Sequence, residues 1–149
     1  MELPPDVEAL SEILWDDEQD LAHYQAMVTQ AKSFLERFRW CGGVRALYGG
    51  KAIPGVVAVF LAEITPGETG VDQTLWVVVG DVPPAYLVLD RAPNSTDALG
   101  IYIENMRRWV RAVLAGESTR GLIPVNTEPT PESAEMLASR LDFLEREIV

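Results

Sequence analysis

The stretch Val56-Val57-Ala58-Val59-Phe60-Leu61-Ala62-Glu63-Ile64 decides the fold class. It is rich in β-branched and aromatic residues and is apolar at both odd and even positions. Both of its faces are therefore expected to be buried, as in a central strand. Residues 74–79 have the same character, and the loop Thr65–Gly70 between the two stretches is rich in turn-forming residues. Together they predict the middle of a β-sheet.

One further strand is expected before this pair and one after it. Gly49-Gly50 predicts a hairpin turn before the central strands, and Gly80-Asp81-Val82-Pro83-Pro84 predicts a turn after them. Every connection is shorter than the dozen or more residues that a parallel crossover needs. We therefore predict a four-stranded antiparallel meander with strands at residues 44–48, 56–64, 74–79 and 85–89.

Helical patterns precede and follow the strands. A helix of about 20 residues is expected after Asp16 as N-cap, with apolar side chains at steps of three and four. A second is expected from Ser95 or Thr96, and a third from Thr130, where a capping threonine is followed by proline. The 149 residues, 16.5 kDa, suit one domain over residues 1–149. The predicted fold class is α+β, with the helices packed mainly on one face of the sheet.

The charge is concentrated at the N-terminus. The chain holds 23 acidic and 12 basic residues, a net charge of −11, and residues 1–20 contain eight acids and no base. Residues 1–20 are therefore predicted to be an acidic N-terminal arm, or a short helix over about residues 5–14, that serves a partner more than the fold. The negative charge argues against nucleic-acid partners and against anionic membrane surfaces.

Few residues are suited to catalysis or to metal binding. The chain has one histidine, His23, and one cysteine, Cys41, too few for a zinc site or a disulfide. The acidic cluster fails the EF-hand pattern, since Leu21 and Met27 fall at the glycine and glutamate positions. Gly49-Gly50-Lys51 fails the P-loop pattern. We expect no catalytic residue, no metal and no cofactor, and we regard a binding protein as more consistent with the sequence than an enzyme.

The sequence contains no pattern typical of export or membrane insertion. The chain begins with Met1-Glu2-Leu3-Pro4-Pro5-Asp6, without a basic and then apolar signal segment. Its longest apolar run, residues 56–62, is far shorter than the roughly twenty residues that cross a bilayer. A cytoplasmic location without membrane contact is therefore expected.

Two groups of residues are candidates for a binding site. The first combines an aromatic side chain with the acidic cluster and would bind a protein partner; it consists of Trp15, Asp16, Asp17, Glu18 and Asp20. The second would line a pocket between the sheet and the helices; it consists of Trp76, Tyr86, Asp90, Tyr102 and Arg107. Aromatic residues with a polar end are common both at interfaces and in pockets.

Two stretches resemble segments of an uncharacterised bacterial domain family of unknown function. They are Leu75-Trp76-Val77-Val78-Val79-Gly80-Asp81-Val82-Pro83-Pro84-Ala85-Tyr86-Leu87 and Ile123-Pro124-Val125-Asn126-Thr127-Glu128-Pro129-Thr130-Pro131-Glu132. The resemblance covers roughly the C-terminal half and implies no activity. In size, acidity and mixed α+β layout, the chain also resembles immunity proteins of bacterial toxin systems, which is an analogy without a shared motif.

The function expected from the sequence is a non-enzymatic module that recognises another protein through acidic and aromatic surface. The alternative is a small enzyme or a small-molecule-binding protein with a pocket between sheet and helices. A two-fold homodimer is also expected, because a four-stranded sheet has two edges to protect and a two-fold contact closes on itself.

Overall fold

The computed structural model describes residues 3–148. Its elements follow the chain in the order β1 (Glu8–Ala9), α1 (Glu18–Glu36), β2 (Cys41–Ile53), β3 (Val57–Pro66), β4 (Thr74–Gly80), β5 (Ala85–Val88), α2 (Ser95–Leu114) and α3 (Pro131–Glu147). Met1, Glu2 and Val149, which the predicted domain of residues 1–149 includes, lie outside the described residues. The α+β class and the antiparallel meander are confirmed.

The sheet has five strands in the order β1-β2-β3-β4-β5, all antiparallel, rather than the predicted four. The additional strand is β1, in which Glu8 and Ala9 pair with Gly49 and Tyr48. Two residues are too few to show an alternating pattern, so β1 could not be read from the sequence. β1 forms because the outer edge of β2 has backbone groups without a partner, and residues 8 and 9 pair with them.

Gly49-Gly50 does not form the predicted hairpin turn. Both glycines lie inside β2, which continues to Ile53, and the register with β3 shifts between Gly49 and Ala52. A Cβ on Gly50 would stand 2.3 Å from the Cβ of Ser95, the first residue of α2. The glycines are therefore explained by close packing of other chain segments against the strand, a use that a local sequence pattern cannot distinguish from a turn.

The helices of the described residues cover both faces of the sheet, two on one face and one on the other. Side chains from α1 pack against one face, which presents Phe60, Ile64 and Val77. The helices α2 and α3 share the other face, which presents Leu61 and Trp76. Two of the three helices thus lie on one side. The apolar residues at both odd and even positions of β3 and β4 require cover on both sides, which is the physical reason for the third helix opposite.

Each helix begins close to the predicted residue. The N-cap of α1 is Asp17, one residue after the predicted Asp16; its carboxylate accepts hydrogen bonds from the Gln19 and Asp20 amides at 2.7 and 3.2 Å. The N-cap of α2 is Asn94, just before the predicted Ser95 or Thr96. Thr130 caps α3 as predicted. Within residues 3–148, none of the helices is long and apolar enough to span a bilayer.

The N-terminal segment does not form the predicted helix over residues 5–14. It contains β1 and a single 3-10 turn, Leu10–Glu12, and the Val7 side chain is buried. Asp6 holds the segment to the start of α2. Its Oδ1 accepts from the Ser95 amide at 2.8 Å, and its Oδ2 accepts from the Ser95 hydroxyl at 2.7 Å and from the Thr96 amide at 3.1 Å.

Asp6 is stabilised in its ionised form by this contact. Burial by itself would raise its pKa, but the hydrogen bonds from Ser95 and Thr96 outweigh burial and hold the pKa of Asp6 below its usual value. Since these donors belong to the first turn of α2, the carboxylate also meets the positive end of the helix dipole. The segment predicted to serve mainly a partner therefore also supports the fold.

Candidate functional site

The five residues predicted to line a pocket do not come together. Trp76 and Tyr102 are fully buried in the core between the sheet and α2. The indole Nε1 of Trp76 donates to the Ala92 carbonyl at 3.0 Å, and the Tyr102 hydroxyl donates to the Pro83 carbonyl at 2.6 Å. Burial raises the pKa of Tyr102 far above its usual value. Both are therefore structural residues whose polar ends already have partners.

The other three pocket candidates lie elsewhere. Trp76 is paired with Leu87, so Tyr86, one residue earlier on β5, lies on the opposite face of the sheet. Asp90 is exposed in a short 3-10 turn after β5. Arg107 projects from α2 toward α3, where it contacts Asp142 at 3.0 Å and Glu145 at 3.1 Å.

The ion pairs explain the position of Arg107. Its hydrogen bonds to Glu145 and Asp142 raise the pKa of the guanidinium above its ordinary value, against a smaller opposing effect of burial. The arginine joins two helices and does not face the sheet. A pocket between sheet and helices with the predicted lining therefore does not form.

The predicted partner-binding residues divide into structural and exposed members. Asp17 caps α1, and the Trp15 ring packs against Tyr24 with their centroids 5.1 Å apart. Asp20 is half-buried, whereas Asp16 and Glu18 are exposed, and Leu14 just before them has 84% of its surface exposed. The acidic cluster thus keeps an exposed part.

Trp15 and Tyr24 of α1 lie on the side of the acidic cluster that faces the sheet. Tyr24 also contacts Phe60 of β3, with ring centroids 5.6 Å apart. Burial, and then the nearby charge of Glu8, raise the pKa of Tyr24 to about 12. The Trp15 Nε1 atom is buried and has no hydrogen-bond acceptor among residues 3–148, a desolvation that costs about 1–3 kcal/mol.

A cleft that sequence reasoning missed lies between α1 and α3. Its inner part has a volume of about 480 Å³ and is enclosed by α1, the β4–β5 turn, the loop before α3 and α3 itself. Its outer part, about 460 Å³, lies between the end of α1, the start of β5 and the same loop. Both parts share Phe34, Arg37, Pro84 and Asn126, and we call the whole the α1–α3 groove.

The outer part of the groove is bordered by aromatic rings. Phe38 lies at the centre, with its ring centroid 5.2 Å from Phe34, 4.9 Å from Trp40 and 5.2 Å from Tyr86. Tyr86 is 41% exposed, and Phe34, Phe38 and Trp40 are half-buried. Across the groove stand Ile123, Pro124 and Val125 from the loop before α3. The outer groove is thus apolar on both sides and open to solvent.

The floor of the groove is the β4–β5 turn, which is held from both sides of the sheet. The Gln30 side chain of α1 donates to the Gly80 carbonyl at 3.2 Å, while Tyr102 of α2 donates to the Pro83 carbonyl. Gly80 has φ 132°, and a Cβ there would stand 2.4 Å from the Val56 carbonyl oxygen. Only glycine fits this backbone, and the two hydrogen bonds hold the turn that forms the floor in place.

The groove is less acidic than the chain as a whole. Among the described residues its charged side chains are Arg37, Arg140 and Asp81, and the Nε of Arg140 contacts Asp81 at 3.3 Å. The Arg37 guanidinium lies over the Phe34 ring, 5.8 Å from its centroid, and within the described residues it has no carboxylate within 4 Å. One cation of the groove is therefore available to a ligand in a protein of net charge −11.

Some signal for the groove was present in the sequence. The apolar run Ile123-Pro124-Val125 stands inside a loop, where buried helix or strand faces do not explain it. The two stretches that carry the resemblance to bacterial domains, residues 75–87 and 123–132, both contribute to the wall. Their meeting with α1 joins residues more than forty positions apart, which no local pattern could indicate.

No metal or family assignment adds to this geometry. Among residues 3–148, no group of three or more His, Cys, Asp or Glu side chains is placed to hold a metal ion, and the His23 side chain is exposed while Cys41 is buried. Comparison of the chain with protein-family models, curated proteins and solved structures finds no match.

Proposed function

We propose that this protein is a non-enzymatic protein-binding module and that the α1–α3 groove is its binding site. The carrying observation is the position of its exposed apolar side chains. Six large ones are exposed among the described residues, and Tyr86 and Met136, 41% and 58% exposed, line the groove. Val88, a third, follows Tyr86 on the same face of β5. Exposed apolar surface concentrated beside a cleft is typical of interaction sites.

The chemistry of the groove supports binding rather than catalysis. Arginine stays protonated at all physiological pH values, so Arg37 and Arg140 cannot exchange protons with a substrate. Asp81, the one carboxylate, is engaged with Arg140. The aromatic rings and the rigid floor supply contact area at little entropic cost, as in protein interfaces.

The exposed part of the acidic cluster has an accessory role in this proposal. Asp16 and Glu18 are exposed near Leu14, and surface carboxylates of this kind raise the rate of association with a basic surface. The likeness to immunity proteins does not narrow the class of protein that would bind here.

The alternative, a small-molecule-binding protein, is favoured by the inner part of the groove. Its volume of about 480 Å³ falls within the range of ligand pockets, and Ser33, Asn126 and Ser133 place polar groups around it. Such a ligand would bind without the outer aromatic rings. The two functions therefore differ in their dependence on Phe38 and Tyr86.

The experiment is a selection of ten-residue peptides from a random display library on the immobilised protein. Binding peptides are expected to lose affinity at least about 10-fold for the double variant Phe38→Ser/Tyr86→Ser, because their anchors are removed. The matched control is Leu14→Ser/Leu114→Ser, which removes two exposed apolar side chains outside the groove. Thermal melting verifies that both variants are folded. No enrichment, or equal binding by both variants, would reject the groove as a protein-binding site.

A further inference from the structure

The outer groove runs along an unpaired edge of the sheet. Among the described residues β5 is the last strand, and β4 is its only strand neighbour. Within residues 3–148, no backbone hydrogen bond joins residues 85–88 to the loop at 123–126 on the other side of the groove. The first two residues of this edge strand, Ala85 and Tyr86, line a slot about 460 Å³ in volume. An unpaired edge is a template for another extended chain.

The walls of the slot suit the side chains of an extended segment. In a strand placed beside β5, successive side chains would point alternately to the two faces of the sheet. On one face they would meet Phe38 and Tyr86, and on the other Ile123 and Val125. Apolar contacts are thus offered at every position, with backbone pairing in between, which is the arrangement of strand-addition sites.

The positive charge of Arg37 at the slot favours a segment that carries a carboxylate. Arg37 lines both parts of the groove and has no carboxylate partner among the described side chains, while its guanidinium is presented over the Phe34 ring. A guanidinium held in this way presents planar donors that match a carboxylate. A basic segment would instead meet this cation at close range.

We propose that the partner segment adds to β5 as an extended sixth strand and places a carboxylate against Arg37. The proposal rests on the protein-binding function and names the chemistry of its occupant: an apolar segment with one acidic group on the α1 side. The carboxylate is either an Asp or Glu side chain or the C-terminus of the segment.

A second copy of this chain is the less favourable occupant. Two copies of net charge −11 repel each other when they approach, whereas a short segment from another protein brings its acid alone to the cation. The predicted homodimer is therefore kept as an outcome of the test.

The test is a charge reversal in the display selection. Wild-type protein is expected to select peptides that combine an apolar alternating pattern with one Asp, Glu or free C-terminus. The variant Arg37→Glu is expected to bind those peptides at least about 10-fold more weakly and to select peptides with Lys or Arg instead. The variant Arg37→Lys keeps the charge but loses the planar donors, so it is expected to select acidic peptides still and to bind them more weakly than the wild type does. The control is Arg39→Glu, the same charge change at an exposed position outside the groove lining. Selection of the same peptides by wild type and Arg37→Glu would overturn the assignment.

Two measurements on the strongest selected peptide complete the test. Hydrogen exchange is expected to slow at the outward-facing amides of residues 85–88 when the peptide binds, and unchanged exchange there would overturn strand addition. Synthesis with a C-terminal amide separates the two sources of carboxylate. Loss of binding on amidation assigns the terminus, and retained binding assigns a side chain.

The outcomes separate this proposal from the protein-binding function. If peptides bind in a Phe38- and Tyr86-dependent way but ignore Arg37 and leave the β5 amides unchanged, only the strand and carboxylate assignment fails. If nothing is selected, both fail. Light scattering of the free protein tests whether a second copy of this chain occupies the groove. A mass twice 16.5 kDa that is lost in the Phe38→Ser/Tyr86→Ser variant would assign the groove to a second copy, against the proposal.

Discussion

The N-terminal segment of residues 3–20 and the α1–α3 groove differ in what their aromatic and charged side chains do. In the segment, Trp15 packs on Tyr24, Asp17 caps α1, and Asp6 accepts hydrogen bonds from the first turn of α2. The aromatic and charged side chains that stand out in the sequence are therefore occupied within the fold. At the groove, Tyr86 is exposed and Arg37 has no carboxylate partner among the described residues.

The comparison shows that the density of charge along a sequence is a poor guide to free binding capacity. Residues 1–20 contain eight acids, yet two of them, Asp6 and Asp17, accept hydrogen bonds from backbone amides. Among the described residues the groove has three charged side chains, and one of them, Arg37, has no carboxylate partner. What matters is whether a polar group already has a partner, and this is decided by the tertiary structure.

The largest effect is expected from deletion of residues 1–12. The deletion removes the Asp6 hydrogen bonds, the buried Val7 side chain and the pairing of β1 with β2. The free energy of unfolding should fall by about 4 kcal/mol, measured by urea denaturation. Deletion of residues 1–2 alone, which keeps these contacts, is the control. If the variant without residues 1–12 were as stable as the wild type, the segment would not support the fold and would serve only a partner.

The next effect compares an aromatic ring in each region. Tyr24→Ala empties a buried site between Trp15 and Phe60 and should cost about 3 kcal/mol of stability. Phe38→Ala removes a half-buried ring at the groove and should cost about 1 kcal/mol. Both values come from chemical denaturation. Equal losses would mean that the groove rings serve the fold as much as those of the segment do.

Asp6→Ala should lower the free energy of unfolding by about 2 kcal/mol at pH 7. Because the folded pKa of Asp6 is lower than the unfolded value of about 3.9, its stabilisation is present above that value. It is lost as the pH falls through the folded pKa. Thermal melting from pH 7 to pH 2 should therefore show the difference between wild type and variant narrowing in the acid range. A difference independent of pH would contradict the ionised contact, and Asp16→Ala is the matched exposed control.

The smallest effect distinguishes two neighbouring acids. Asp17→Ala removes the N-cap of α1 and should cost about 1 kcal/mol, whereas Asp16→Ala should change stability by less than about 0.5 kcal/mol. Differential scanning calorimetry of the two variants measures both. The reverse order would move the cap to Asp16, the residue expected from the sequence.

Most of the fold could be predicted because its elements carry strong local patterns. The buried faces of β3 and β4 give continuous apolar runs, and Thr130-Pro131 is an unambiguous helix start. β1 and the setting of Gly49-Gly50 could not be predicted, because both depend on which distant segment packs against β2. Apolar residues on both sides of β3 indicate that helices cover both faces of the sheet. The sequence did not indicate which of the three helices would lie alone on its face.

The candidate site was predicted less well than the fold. Trp76 and Tyr102, which were predicted to line a pocket, are buried in the closed core between the sheet and α2. Tyr86 lies one residue from the partner of Trp76, and this single step places it on the other face of the sheet. Strand alternation makes a face assignment depend on the register, and register follows from pairing across the sheet.

Local sequence patterns and composition were sufficient to predict β2 to β5, the three helices and the acidic charge of the N-terminal segment, because each depends on neighbouring residues or on composition. The tertiary structure alone decided which polar groups are occupied and where a cleft remains open. Arg37, Tyr86 and Ile123 belong to three separate parts of the chain, and they line one groove only because α1, β5 and the loop before α3 pack around the same sheet edge. Contacts between segments so far apart follow from packing in three dimensions, and no periodicity along the chain encodes them.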